Sequence, residues 1–240
     1  MLKDLLENRN CFKLVCGAGN ENAAQVEELV KIYYAAGCRF FDVSANLEVV
    51  KAAKRVMGTD SYLCVSISTK GDPHITKAKD LEKILPLGID CIELHAACED
   101  ESEAMFKWRW LNENFDGMLS ICLGRGRLGD SQLIGRLKKM LECRAPYTTI
   151  VQADGFPISG GADDYKSTLQ AVATAQIVQN ANLPVYLLVS GGTNSKTAGL
   201  ARLCGVNPHG IAVGSYARKV AHTGAKELVN SVLISPTTSP

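Results

Sequence analysis

None of the nine cysteines forms a C-x-x-C pair, and nine is an odd number. A disulfide framework and a sequence-local zinc or iron–sulfur site are therefore both disfavoured. Charge of one sign is not in excess either. The formal net charge is +1, so no overall field draws in nucleic acid or anionic lipid, and neither is an expected partner. Apolar runs last only a few residues, where roughly 18 are needed to cross a bilayer. The opening MLKDLLENRN carries acidic residues where a secretory leader would be apolar. A cytoplasmic protein is expected. No Pro/Ser-rich linker divides the chain, and the single low-complexity piece is the closing SPTTSP. Residues 1–234 therefore read as one domain and 235–240 as a flexible tail.

What the chain has is an ordinary core-forming composition, 46% hydrophobic and 21% charged, spread over 240 residues. Eight short apolar runs rich in β-branched residues recur from end to end. They are Phe12 to Ala18, Cys38 to Ser44, Ser61 to Ser68, Ile89 to Ala96, Gly117 to Gly124, Tyr147 to Asp154, Pro184 to Ser190 and Gly210 to Ser215. Helix-period segments lie between them: Val26, Leu29, Val30 and Tyr33 share one helix face. Gly37, Gly58, Gly88 and Gly205 are expected to stop helices in the left-handed conformation. Eight strands joined by crossover helices close into an α/β fold of the (β/α)8 TIM-barrel type, with a parallel closed sheet. An open doubly wound sheet is the alternative, but the loop from Gly17 to Asn22 lacks the third glycine of G-x-G-x-x-G. Cys16, Cys38, Cys64, Cys91 and Cys122 fall in or beside the runs, as small buried hydrophobes do.

Barrels of this type bind ligands at the carboxyl ends of their strands. Strand seven closes on Ser190-Gly191-Gly192-Thr193-Asn194 and strand eight on Gly214-Ser215-Tyr216-Ala217-Arg218. Glycines there let backbone N–H groups approach an anion, and a short helix opening after Gly214 would aim its positive end at the same place. A phosphate group is the expected ligand on Gly191, Gly192, Thr193, Asn194, Gly214, Ser215 and Arg218, with Lys219 a further charge. Period-two alternation also turns Lys13, Asp42, Glu93, His95, Gln152 and Asp154 inward. Lys13 should pair with Asp42 or Glu93, in either a structural ion-pair network or a tuned catalytic one.

Catalysis is expected to fall to Lys13, Asp42, Glu93, His95 and Asp154. A desolvated lysine suits Schiff-base or proton-donor chemistry of a lyase or isomerase on a phosphorylated substrate, with His95 moving the proton. Asp42, Glu93, His95 and Asp154 could instead hold a divalent ion, but their spacing is tertiary and no metal is assigned. FMN is a further candidate cofactor, because its phosphate would suit the last two loops. The remaining reading is a non-catalytic sensor or interaction module. Trp108 and Trp110 read as packing or interface residues, and a protein partner or homo-oligomer stays open.

Several blocks together resemble the light-dependent-period (LdpA) family. They are Phe12 to Ala18, Asp42-Val43-Ser44-Ala45, Val65-Ser66 with Asp72-Pro73-His74 and Lys77-Ala78, and Gln152-Ala153-Asp154-Gly155 with Pro157 and Ser159-Gly160. The two closing loops complete the set. The likeness runs nearly the full length and implies a redox-linked role, since the family is known for an iron–sulfur protein that conveys redox state to the circadian clock. Relatives carry a cysteine-rich ferredoxin-type insert after the Asp-Pro-His block. Here Ile75 to Leu85 holds no cysteine, so cluster binding is not carried over.

Overall fold

A computed structural model describes residues 1–67, 78–96, 101–124, 128–155 and 164–233. The blocks at Asp72 to Lys77, Pro157, Ser159 and Gly160, and the tail 235–240, lie outside the described residues.

All eight expected strands form. They are β1 (Cys11–Val15), β2 (Phe40–Ser44), β3 (Tyr62–Ile67), β4 (Cys91–His95), β5 (Met118–Gly124), β6 (Thr149–Asp154), β7 (Tyr186–Val189) and β8 (Gly210–Val213). They pair in sequence order, and β8 returns to β1 with Lys13 opposite Ala212. Every pairing is parallel, as crossover helices require, so the sheet is a closed (β/α)8 barrel. The helices are α1 (Leu2–Glu7), α2 (Ala23–Ala35), α3 (Leu47–Val56), α4 (Ala78–Ile84), α5 (Glu101–Asn114), α6 (Asp130–Leu141), α7 (Asp164–Asn180), α8 (Thr197–Leu203) and α9 (Ser215–Leu233).

Two apolar regions follow from the strand alternation. Outward residues such as Leu14, Phe41, Val65 and Val151 pack under the helices. There α2 lays down the stripe Val26, Leu29, Val30 and Tyr33. Asn22 starts that helix by accepting the Gln25 N–H at 3.1 Å. Trp108 is a packing residue, fully buried, and its indole N–H donates to the Met140 carbonyl at 2.7 Å. Inward residues Cys11, Phe40, Cys64, Cys91, Ile150, Tyr186 and Leu188 fill the amino-terminal half of the barrel.

The helix α1 has no counterpart in the sequence reading. Its Leu2 and Leu6 join the inward cluster, and the Tyr186 hydroxyl donates to Glu7 at 3.1 Å, so α1 covers the amino-terminal end of the barrel. Gly58 also departs from expectation. Gly37, Gly88 and Gly205 have φ of 105°, 74° and 72°, but α3 ends instead on extended Met57. Gly58 is required for space: a Cβ there would lie 2.0 Å from the Tyr34 hydroxyl.

His209 links this end of the barrel to pH. Its Nδ1 accepts the Leu187 N–H at 2.9 Å, which needs a free lone pair. Burial, with Arg9 beside it, pushes the imidazole down to about 4. The native state therefore binds fewer protons than the unfolded chain between the ordinary histidine value and about pH 4. Stability is fully present above that window and is lost as pH falls through it. The expected loss is about 1–2 kcal/mol, reduced from the full linkage value because the ring is partly exposed. Urea titrations of the parent and His209→Gln at pH 7 and pH 4.5 should show the smaller pH effect in the variant; equal effects would refute the assignment.

Candidate functional site

Midway up the barrel interior the apolar layer gives way to a polar one. Lys13 is completely buried. Its Nζ donates to Glu93 Oε2 at 2.5 Å and to Gln152 Oε1 at 2.9 Å, and it stands 3.1 Å from Asp42 Oδ2. The expected pairing with one carboxylate is thus a pairing with both. Neighbouring strands complete the layer at matching heights, because β3–β4 register sets Ser66 opposite Glu93 and β4–β5 register sets Glu93 opposite Ser120. Ser66 donates to Asp42 Oδ1 at 2.7 Å, Ser120 to Glu93 Oε2 at 2.8 Å, and the Gln152 amide to Glu93 Oε1 at 3.2 Å.

The electrostatics follow from that geometry. Burial alone would discharge Lys13, but the Asp42 and Glu93 carboxylates outweigh it and hold the ammonium well above its ordinary value. Glu93 is likewise held below the carboxylate range, because Lys13 and His95 overcome the effect of burial. Asp42 is pushed up by burial, and Glu93 adds to the shift against the pull of Lys13. One fixed ion pair, Lys13–Glu93, therefore sits beside a carboxyl biased toward its protonated form. Two ammonium hydrogens are used on Glu93 and Gln152, whereas Asp42 Oδ2, 3.1 Å away, is buried without a hydrogen bond among the described residues.

Above this layer, at the carboxyl mouth, lie His95, Cys122 and Asp154. His95 Nε2 is buried and without a hydrogen-bond partner among the described residues; it stands 3.1 Å from Glu93 Oε1, out of line for a hydrogen bond. Burial would lower the imidazole, but the Glu93 and Asp42 carboxylates raise it. Asp154 accepts the Gly155 N–H at 2.8 Å and the Cys122 thiol at 3.4 Å. Burial raises it to about 6.

A cleft of about 50 Å³ opens over these groups, floored by His95, Gln152 and Asp154 and walled by Gly191, Gly192, Gly214 and Ser215. This is room for a few waters or one small anion. Gly191 and Gly192 turn with φ of 84° and 63°. A Cβ on Gly191 would lie 2.0 Å from Asp154 Oδ1, so the loop can press against β6 only as glycine. The Thr193 hydroxyl donates to the Ala212 carbonyl at 2.6 Å and ties the loop to β8. Asn194 orders the following turn, with its Oδ1 accepting the Lys196 N–H.

Beyond Gly214, α9 begins with its axis ending at the cleft and runs to a break at Gly224. The amides of Ser215, Tyr216 and Ala217 form its first turn, where no intrahelical acceptor exists. Arg218 braces the cleft's edge: it donates to the Val15 carbonyl at 3.1 Å and to the Ser215 hydroxyl at 3.2 Å, and both residues line the cleft. Lys219 is exposed.

The structure thus gathers Lys13, Asp42, Glu93, His95, Gln152 and Asp154 into one interior, and Gly191, Gly192, Gly214 and Ser215 around one cleft. Thr193, which also lines the cleft, and Asn194 and Arg218 hold loops with their side chains. Ser66, Ser120 and Cys122 were missed, although period-two alternation from Glu93 and His95 along β3 and β5 marks them as inward.

These features define the class as a (β/α)8 barrel with a polar carboxyl mouth. Dihydrodipicolinate synthase from Oceanobacillus iheyensis shares the shape, with a TM-score of 0.58 at 12% identity over 97% of this chain and 80% of that one. So does (S)-3-O-geranylgeranylglyceryl phosphate synthase from Thermoplasma acidophilum in complex with sn-glycerol-1-phosphate, at 0.57 and 13% over 97% and 96%. The truncated 3-deoxy-D-arabino-heptulosonate 7-phosphate synthase of Thermotoga maritima matches at 0.56 and 13% over 86% and 74%.

The chain belongs to the Light dependent period A family, whose C-terminal-domain model matches residues 83–233. The Light dependent period A protein of Synechococcus elongatus (strain ATCC 33912 / PCC 7942 / FACHB-805) is 25% identical over 293 residues, spanning 90% of this chain and 82% of that protein. The aligned stretch is longer than this chain, so the relative carries residues with no counterpart here. Among the described residues no three cysteines converge, and the two groups with metal-ligand spacing each contain one cysteine. The described residues therefore do not fit a cysteine-ligated iron–sulfur cluster.

Proposed function

We propose that this barrel binds a phosphorylated small molecule at its carboxyl mouth, with the phosphate on the loops after β7 and β8, and that it acts on the bound molecule as a lyase or isomerase. The observation carrying the reading is the cleft itself, where the Gly191–Gly192 turn meets the open first turn of α9. Backbone N–H groups and a helix N-terminus favour an anion there. The Thermoplasma barrel's complex with sn-glycerol-1-phosphate lends support by analogy of fold.

In this reading His95 and Asp154, on the cleft floor, are the groups placed to exchange protons with a bound molecule. Lys13 acts as a fixed charge. Its buried ammonium is hydrogen-bonded to Glu93 and Gln152 and ion-paired with Asp42, which favours positioning Glu93 and His95 over forming a Schiff base. The same engagement favours, as a second reading, a sensor whose polar interior is structural.

Calorimetric titration with sn-glycerol phosphate and with inorganic phosphate tests the binding half. Ser215→Asp is the informative variant, because a carboxylate in the first turn of α9 suits the helix but occupies the anion's place. Binding should weaken at least tenfold, about 1.4 kcal/mol. No heat of binding in the parent, or equal affinity in the variant, would refute the proposal. Borohydride trapping with a carbonyl-bearing phosphorylated metabolite should leave Lys13 unmodified.

A further inference from the structure

Three ligand-type atoms meet at the carboxyl mouth without any cysteine pairing or sequence motif to announce them. Glu93, His95 and Cys122 each offer one atom, and these atoms lie within 4.8 Å of one another. Asp154 Oδ2 adjoins the group at 3.4 Å from Cys122 Sγ. A tetrahedral ion with Zn–S of about 2.3 Å and Zn–N or Zn–O of about 2.1 Å holds neighbouring ligand atoms about 3.6 Å apart. Within the trio His95 Nε2 and Glu93 Oε1 stand 3.1 Å apart, and the thiol, within 4.8 Å of both, would move toward them to close the site.

Two further observations point the same way. His95 Nε2 is a buried ring nitrogen whose one polar contact among the described residues is Glu93 Oε1 at 3.1 Å, with no hydrogen bond of good geometry, whereas such nitrogens ordinarily find a well-aligned partner. Carboxyl groups also outnumber amino groups there: Asp42, Glu93 and Asp154 are buried around the single ammonium of Lys13, with Asp42 biased by burial toward its neutral form. A second trio with similar spacing, Asp42, Cys64 and Glu93, surrounds Lys13 and already has its cation in that ammonium. The upper trio shares that ammonium through Glu93.

We propose that Glu93, His95 and Cys122 form a binding site for a zinc-like divalent transition-metal ion, with Asp154 beside them and the fourth position open to the cleft. The mixed N, O and S donor set favours an ion of borderline softness over magnesium or calcium. Binding converts the Cys122 thiol to a metal thiolate and releases its proton, for which Asp154, already accepting the S–H, is the first acceptor. No oxidant or reductant is involved. The site shares His95 and Asp154 with the cleft floor of the proposed function but uses no residue of the β7 or β8 loops, so anion binding and metal binding can be lost separately.

Cobalt(II) alone, added to the chelator-treated full chain in phosphate-free buffer, gives the test. A sulfur-to-cobalt charge-transfer band should appear at one equivalent and disappear on addition of zinc. Cys122→Ser should abolish the band, and His95→Gln should weaken cobalt binding at least tenfold, with far-ultraviolet dichroism confirming that each variant folds. A variant lacking the exposed Cys143 and Cys204 should keep the band. Absence of the band in the parent, its survival in Cys122→Ser, or its loss in the surface variant would overturn the proposal. Loss of phosphate binding with the band intact would count against the anion reading alone.

Discussion

Replacing Lys13 by Met should lower the unfolding free energy by about 3–5 kcal/mol, the usual cost of removing one partner from a buried ion pair. Methionine fills much of the same space but leaves Glu93 and Asp42 facing each other without a counter-charge. Glu93 would keep its bonds from Ser120 and Gln152 and lose its strongest one. Urea denaturation measures the loss. Adding Glu93→Gln to Lys13→Met should restore at least about 1 kcal/mol, because the double variant buries an amide where the single variant buries an unpaired anion. A single-variant loss under about 1 kcal/mol would mean that the layer is more hydrated than its burial indicates.

Gly191→Ala should be the most damaging small substitution at the mouth. The new Cβ would lie 2.0 Å from Asp154 Oδ1 and 2.6 Å from the Gly155 nitrogen, at a residue whose φ is 84°. Backbone strain of about 1–2 kcal/mol and displacement of the loop from β6 together predict a loss of about 2–4 kcal/mol. Gly199, with open space around its Cβ position, is the control. In the helix α8, Gly199→Ala should be neutral or stabilising by up to about 1 kcal/mol. Thermal unfolding of the two variants side by side decides the matter, and equal midpoints would show that the β7 loop is not pinned against β6.

The strands were legible because each is a short β-branched run bounded by turn residues, and the barrel because eight of them alternate with helix-period segments. The inward set was legible too, since period two assigns faces. Height within the barrel was not. Whether Glu93 meets Ser66 and Ser120, or some other pair, depends on the register of β3 with β4 and of β4 with β5, which no single strand encodes. The two-sided grip on Lys13 was hidden for the same reason. Helix α1 escaped because six residues are less than two turns: Leu2, Leu5 and Leu6 give one i, i+3, i+4 match, too short a window for periodicity to speak. The position of Arg218 after Gly214 marks it as a candidate ligand group, but its bond to the Val15 carbonyl, the last oxygen of β1, depends on how β1 and β8 pair and is not encoded locally.

Closure of the ring sets an order on synthesis as well as on structure. Once Lys13 is made, its strand gains its second neighbour only when Ala212 arrives almost two hundred residues later. Until then the nascent sheet has two bare edges, and the interior ion pair is open to water along one side. Folding to the finished state is therefore a late event dominated by distant contacts, and a chain ending before β8 would leave the ribosome prone to edge-to-edge association.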